Sequence, residues 1–413
     1  MERVVESSVA VAPTITPAAT EAGAARQPGL LYGRITDLDG ATYEGRLRWG
    51  RDQEAFWSDY FNGTKDGNPW TAYTPGPKTS APFEIFGIKI GGEDPSIRLR
   101  RLFMARFGDI ARIDTQLRRV EVTLKSGTTV TLDRNAAGDI DDGVRVWDAK
   151  RGIVDLDARG IRTIEFLPVP SLAAASGRLY GTVRTRQGDF TGFVQWDQRD
   201  GFGIDTLNGR TADGEQALRY DAIRTIARQS RDSALVTLLD GREMALSGAS
   251  DVNQNNRGIY IDDRRYGRVL VSWDAFEHAD LRIDDSGPAY DDYPAGSALR
   301  GRVTLRDGRR LAGRLVYDFD ESVTSETLDA SLQGVDYNIP FRLIAAIVPQ
   351  DRDSSAAPRA AVILHDGGKL QLERTGDLAE RNAGLLIFAD DRERPEYVPW
   401  SEIERIEFET EHF

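Results

Sequence analysis

The chain has 413 residues, of which 53 are Lys or Arg and 66 are Asp or Glu, for a formal net charge of −13. It holds no cysteine and only 3 histidines, His278, His365 and His412. That composition excludes disulfide scaffolds, thiolate metal sites and cysteine nucleophiles, and leaves too few imidazoles for a multi-histidine zinc enzyme.

At roughly 150 residues per domain, the length predicts about three domains. Residues 1–29 are rich in Ala, Thr, Pro and Glu with little to bury, the composition of a disordered tail or tether. The longest clean apolar stretch there, Val9 to Ala12, is too short for an export signal, and no apolar run anywhere is long enough to span a membrane. A cysteine-free chain suits a reducing or an oxidising compartment alike.

From residue 30 onward a phrase recurs. Leu31-Tyr-Gly33-Arg-Ile, Leu179-Tyr-Gly181-Thr-Val and Leu299-Arg-Gly301-Arg-Val are each followed by a polar turn at Asp39-Gly40, Gln187-Gly188 or Asp307-Gly308. Each then meets a second alternating run, at Tyr43-Glu-Gly45, Phe190-Thr-Gly192 or Leu311-Ala-Gly313. Alternation on both sides of a Gly turn predicts a β-hairpin, and a recurrent Gly inside a strand predicts a bulge or a close backbone approach. These first half-units close with Phe107-Gly-Asp-Ile110, Tyr220-Asp-Ala-Ile223 and Phe341-Arg-Leu-Ile344, read as a 3₁₀ turn or a strand entry.

A second kind of half-unit follows each first one. It opens with Val122-Thr-Leu, Val236-Thr-Leu and Val362-Ile-Leu, turns at Asp141-Asp-Gly143, Asn256-Arg-Gly258 and Asn382-Ala-Gly384, and closes at Phe166, Leu281 and Phe408. The order of phrases predicts three tandem repeats, at 30–168, 176–284 and 297–411, each of two half-units. Turn-rich linkers separate them at Pro168–Ser176 and Asp284–Gly296. Long amphipathic helical stretches are absent, so the expected class is all-β.

The run Gly301-Arg-Val-Thr-Leu-Arg-Asp-Gly308-Arg-Arg-Leu-Ala-Gly313 resembles the first half of an Sm-like or SH3-like small barrel. The resemblance implies two small barrels per repeat; the alternative is one larger sandwich or barrel made from both halves. Sm-like proteins bind RNA through an Asn in one loop and an Arg-Gly pair in another. Here the loop reads Tyr317-Asp-Phe-Asp-Glu-Ser322 and Arg342 is followed by Leu343, so the RNA function does not carry over with the fold.

Repeat one spans 77 residues from its first shared Gly to its closing Ile, against 42 and 43 in the other two. The excess falls near 64–97 and is rich in aromatic residues and proline. Long loops of this kind carry function or cover an edge. The candidate binding residues are Trp57, Tyr60, Trp70, Tyr73, Phe83 and Phe86, suited to stacking on a sugar or packing on a partner protein. Capping of the repeat array is the competing structural reading.

Other features point to folding. The acidic turns at Asp37–Gly40 and Asp139–Gly143 lack an EF-hand pattern and fit turn chemistry, as does the aligned trio Asp141, Asn256 and Asn382. No nucleophile elbow or phosphate loop occurs. The basic runs Arg98–Arg101 and Arg309–Arg310 have acidic neighbours, which argues against a nucleic-acid partner. The sequence therefore predicts a binding or scaffold protein without cofactor or metal. A carbohydrate-binding or carbohydrate-active protein and an Sm-like RNA binder are the alternatives.

Overall fold

The computed structural model describes residues 29–50, 53–57, 59–73, 101–134, 138–170, 177–284, 287–349 and 359–410, with the backbone of 84–85 and 88–89. The tail expected over 1–29, Gly29 apart, lies outside the described residues, and so does most of the insertion, with Phe83 and Phe86.

Among the described residues the structure is all-β, antiparallel strands joined by turns and short 3₁₀ turns. Local pattern explains the strands. In Ser233–Leu238, residues Ala234, Val236 and Leu238 are buried while their neighbours are partly exposed, the period of a sheet with one face inward. The closing phrases form 3₁₀ turns at Phe107–Asp109, Tyr220–Ala222 and Phe341–Leu343, and each leads directly into a strand.

The organisation is repeat-like, because one strand order occurs in three stretches of the chain. In the first stretch the order is Gly152–Leu156, Val144–Asp148, Thr42–Trp49, Tyr32–Asp37, Ile161–Phe166, Ile110–Thr115, Arg119–Leu124, Thr129–Asp133. The second has Gly267–Val271, Ile259–Asp263, Gly188–Gln195, Arg178–Thr185, Phe276–Asp284, Ile223–Arg228, Ser233–Leu238, Glu243–Ser247 in the same places. The third has Glu396–Val398, Leu385–Phe388, Arg310–Tyr317, Arg300–Leu305, Ile403–Phe408, Ile344–Pro349, Arg359–Leu364, Lys369–Glu373. The half-units interleave: strands of the second half flank both sides of the opening hairpin, so the two halves share one hydrogen-bonded sheet. Of the two expected arrangements, this pairing is that of fused halves.

The recurrent glycines have a physical cause. Gly33 faces Gly45 across the first hairpin, Gly181 faces Gly192, and Gly301 faces Gly313. A Cβ at Gly45, Gly192 or Gly313 would overlap the carbonyl oxygen of Trp147, Asp262 or Phe388 on the neighbouring strand. Only hydrogen fits in that gap.

Each stretch adds one more hairpin, Tyr60–Thr64 with Leu102–Arg106, Thr206–Thr211 with Gly214–Arg219, and Thr327–Leu332 with Val335–Pro340. The third of these pairs with Gly267–Val271 of the second stretch, Tyr337 opposite Val269, and extends that sheet to twelve strands. One apolar core runs through the second and third stretches, and another is built on the first. The first core also takes in Phe193, Tyr290, Tyr293 and Val323.

The stretch expected to link the second and third repeats straps onto the first. The Tyr290 hydroxyl donates to the Ile110 carbonyl at 2.8 Å, and its ring lies 4.7 Å from that of Phe56. Lys125 Nζ donates to the Tyr290 carbonyl and sits 3.5 Å from the centre of the Tyr290 ring. Burial brings the Lys125 ammonium down to about 8.

Candidate functional site

The polar residues that recur through the sequence are occupied by the fold. Asp139 accepts from the Asn62 backbone N–H at 2.7 Å and its Nδ2 at 2.9 Å. Asp251 accepts from the same two groups of Asn208 at 2.7 and 2.9 Å. Asp377 accepts from the Asp329 N–H at 2.6 Å. Behind them Trp49, Trp196 and Tyr317 donate to the carbonyls of Asp139, Asp251 and Asp377. Asn256 and Asn382 each accept from the N–H of the Gly two residues on, at 2.9 and 2.8 Å, the turn role expected of them. Asp37 accepts from the Ala41 N–H at 2.8 Å and from the Tyr43 hydroxyl, again within a turn.

The candidate aromatic residues divide into two groups. Trp57 is 1% exposed and Tyr60 2%, so neither offers a ring face to a ligand. Trp57 lies 3.8 Å from the Phe193 ring, with the Arg178 guanidinium 4.4 Å away, and joins the first stretch to the second. Tyr60 lies beneath the Arg268 guanidinium at 4.6 Å, and burial pushes its hydroxyl up to about 12. Apolar rings leave water wherever a neighbouring sheet can cover them.

Trp70 and Tyr73 lie elsewhere, in the 3₁₀ turn Pro69–Tyr73 at the start of the insertion. Trp70 is half-buried and Tyr73 is 41% exposed. Both meet Phe388 of the third stretch edge-on, with ring centres 5.9 and 5.7 Å apart. The insertion extends the tip of the hairpin Tyr60–Thr64/Leu102–Arg106, whose counterparts close through short turns at Thr211–Gly214 and Leu332–Val335.

A pocket of about 560 Å³ opens along this seam. Trp70 and Asn68 line it from the insertion, Arg119 and Thr131 from the first sheet, and Asp320 and Glu326 from the third stretch. The Asn68 side chain fixes the turn: its Oδ1 accepts from the Trp70 N–H at 2.9 Å and its Nδ2 donates to the Phe319 carbonyl at 2.7 Å. Arg101 donates to the Asp318 carbonyl at 2.9 Å.

Lys65 is the cation of the pocket floor, paired with Asp320 and standing 3.5 Å from Glu326. Burial opposes its charge, but Asp320, Glu326 and Glu321 outweigh burial and raise its pKa. Burial likewise raises Glu326, and Asp320 adds to that, while Lys65 pulls it down. Nearby, burial lifts Asp318 to about 6 despite Arg101. One ammonium thus serves several carboxylates, which leaves this wall of the pocket rich in acceptors. With an indole, an amide, a guanidinium and hydroxyls opposite, the pocket can hold a polar, uncharged or weakly cationic molecule by stacking and hydrogen bonds.

Lys65, Arg119, Asp320 and Glu326 were not singled out by the sequence. The one available signal was the acidic loop from Tyr317 to Ser322, which differs from the corresponding turns of the other stretches.

No family model and no curated protein matches the chain. Among solved structures, one described as a streptogramin B lyase structure is similar over 73% of this chain and 94% of that chain, at 10% sequence identity and a TM-score of 0.11. A likeness at that score has no bearing on what this chain does. Among the described residues, no helix is long and apolar enough to cross a membrane.

Proposed function

We propose that the chain is a non-enzymatic binding or scaffold protein of three β repeats, over 30–168, 176–284 and 297–411, with the seam pocket as its ligand site. The observation that supports this reading is the placement of Trp70. Among the described residues it is the one candidate ring that combines a pocket lining with partial exposure, and it is anchored there by Asn68. The recurring carboxylates and amides, by contrast, are spent on backbone hydrogen bonds.

A second reading makes the ligand a glycan. It is favoured by an indole beside Asn68, Asp66, Arg119 and a row of threonines, the mixture of stacking face and hydrogen-bond groups that a sugar ring needs. The experiment is a glycan array probed with the full chain, followed by titration of any hit against Trp70→Ala and Arg119→Ala. Loss of at least tenfold in affinity in both variants, with unchanged far-ultraviolet circular dichroism, supports the site. A hit that binds both variants as tightly as the unaltered chain removes the pocket from the reading.

A further inference from the structure

A second cavity, of about 360 Å³, lies where the three stretches meet. Its lining takes Arg106 from the first, Asp262 and Arg264 from the second, Tyr293 from the strap, and Arg342 from the third. Arg106 is only 8% exposed and Tyr293 only 6%. The Arg106 guanidinium sits 4.7 Å from the centre of the Tyr293 ring, and its Nε donates to Asp109 at 3.1 Å. Among the described residues, its Nη2 and the Tyr293 hydroxyl have no hydrogen-bond partner. Asp109 is shared, since its other oxygen stands 3.6 Å from Arg342 Nη1.

Two pairs at the rim neutralise themselves, Arg282 with Asp284 and Arg265 with Asp263, each at 2.7 Å. Among the described residues, Arg106, Arg264 and Arg342 also gather here, with Asp109 and Asp262. Behind them lies Arg268, 3.5 Å from the centre of the Tyr260 ring, whose Nε also has no partner among the described residues. Among the described residues, arginines therefore outnumber aspartates around this cavity, in a chain whose net charge is −13. Buried guanidinium N–H groups without acceptors are costly, and a ligand carrying acceptor oxygens would relieve that cost.

We propose that this three-way cavity binds a phosphate-type oxyanion, free or carried on a small molecule. Guanidinium forks from different directions match the spread of phosphate oxygens, and the Tyr293 hydroxyl adds a neutral donor. The volume accommodates more than a bare ion. Asp262 works against the anion. Burial lifts it to about 6, Arg106, Arg268 and Arg342 hold it down, and Asp263 pushes it up. Tyr60 and Tyr293 face it as well.

The test is calorimetric titration of the full chain at pH 7.5 and low salt, with inorganic phosphate and with glucose 6-phosphate as probes. Saturable one-to-one binding of either supports the proposal, and the tighter of the two tells a free ion from a carried phosphate. Arg342→Gln should weaken binding at least tenfold, and Asp262→Asn should tighten it several-fold by removing the opposing charge. A purely architectural arginine cluster would give no saturable heat with either probe in the unaltered chain, or equal affinities in both folded variants. Either result overturns the proposal.

Discussion

Three aspartates hold equivalent places, yet one has a different neighbour. Asp139 and Asp251 each receive an Asn side chain, whereas Asp377 meets Asp329 at the matching position. Two carboxylates in that space cannot both ionise cheaply. Burial, and after it Asp329, raises Asp377; burial also raises Asp329, against the pull of Asn338 and Thr327. In the folded state these groups keep protons that the unfolded chain has released. Their stabilising contribution is therefore full below pH about 4 and is lost as pH climbs through the raised folded values. Asp329→Asn restores the amide found at 62 and 208 and still accepts from Asn338. It should stabilise the chain by about 1 kcal/mol at pH 7.5 and by less at pH 5. Urea midpoints at the two pH values check this; a larger gain at pH 5 would contradict the shared-proton account. The sequence carried this contrast openly, but nothing in it said that positions 329 and 377 touch.

At the scale of the element, the opening hairpins show how far local pattern reaches. Their alternation, turns and paired glycines are properties of neighbouring residues, and they are legible in the sequence alone. The cause of the glycines was legible only as a choice between bulge and close approach, and the carbonyls of Trp147, Asp262 and Phe388 decide it. Gly192→Ala should cost about 1–3 kcal/mol through forced separation of two strands. Gly160→Ala, where the nearest neighbour would stand 3.5 Å from the new Cβ, should cost far less. Thermal unfolding of the two variants measures the difference, and equal losses would mean that the strands yield freely. The pocket was half legible for the same reason. Trp70 and Tyr73 stood out within one loop, while Arg119, Asp320 and Glu326 come from separate places that only the assembled sheets bring together.

Across the whole molecule, the pairing that the sequence concealed is the pairing that joins its parts. Strand Val144–Asp148 pairs with Thr42–Trp49, and Val335–Pro340 with Gly267–Val271, though any alternating strand would offer the same backbone groups. The expected small barrels rested on local hairpins; interleaving is a long-range choice made by burial. The second and third stretches share one core, and a hairpin of the third completes the sheet of the second, so they should unfold together. A chain ending at residue 296 loses the partner of Gly267–Val271 and presents a bare apolar edge. Size-exclusion chromatography should show that fragment self-associating; a monodisperse fragment with a sharp unfolding transition would show the stretches to be independent.

The interleaving also sets an order in time. Strand Tyr32–Asp37 forms its inner ladder with Thr42–Trp49 at once, but its outer partner is Ile161–Phe166, the last strand of the stretch. Closing so long a loop costs entropy before the ladder returns anything, so such contacts form slowly. During synthesis each stretch stays an open sheet until its final strand has left the ribosome. The chain then passes through three successive intervals in which the outer side of an opening hairpin is unpaired, each ended by the final strand of its stretch.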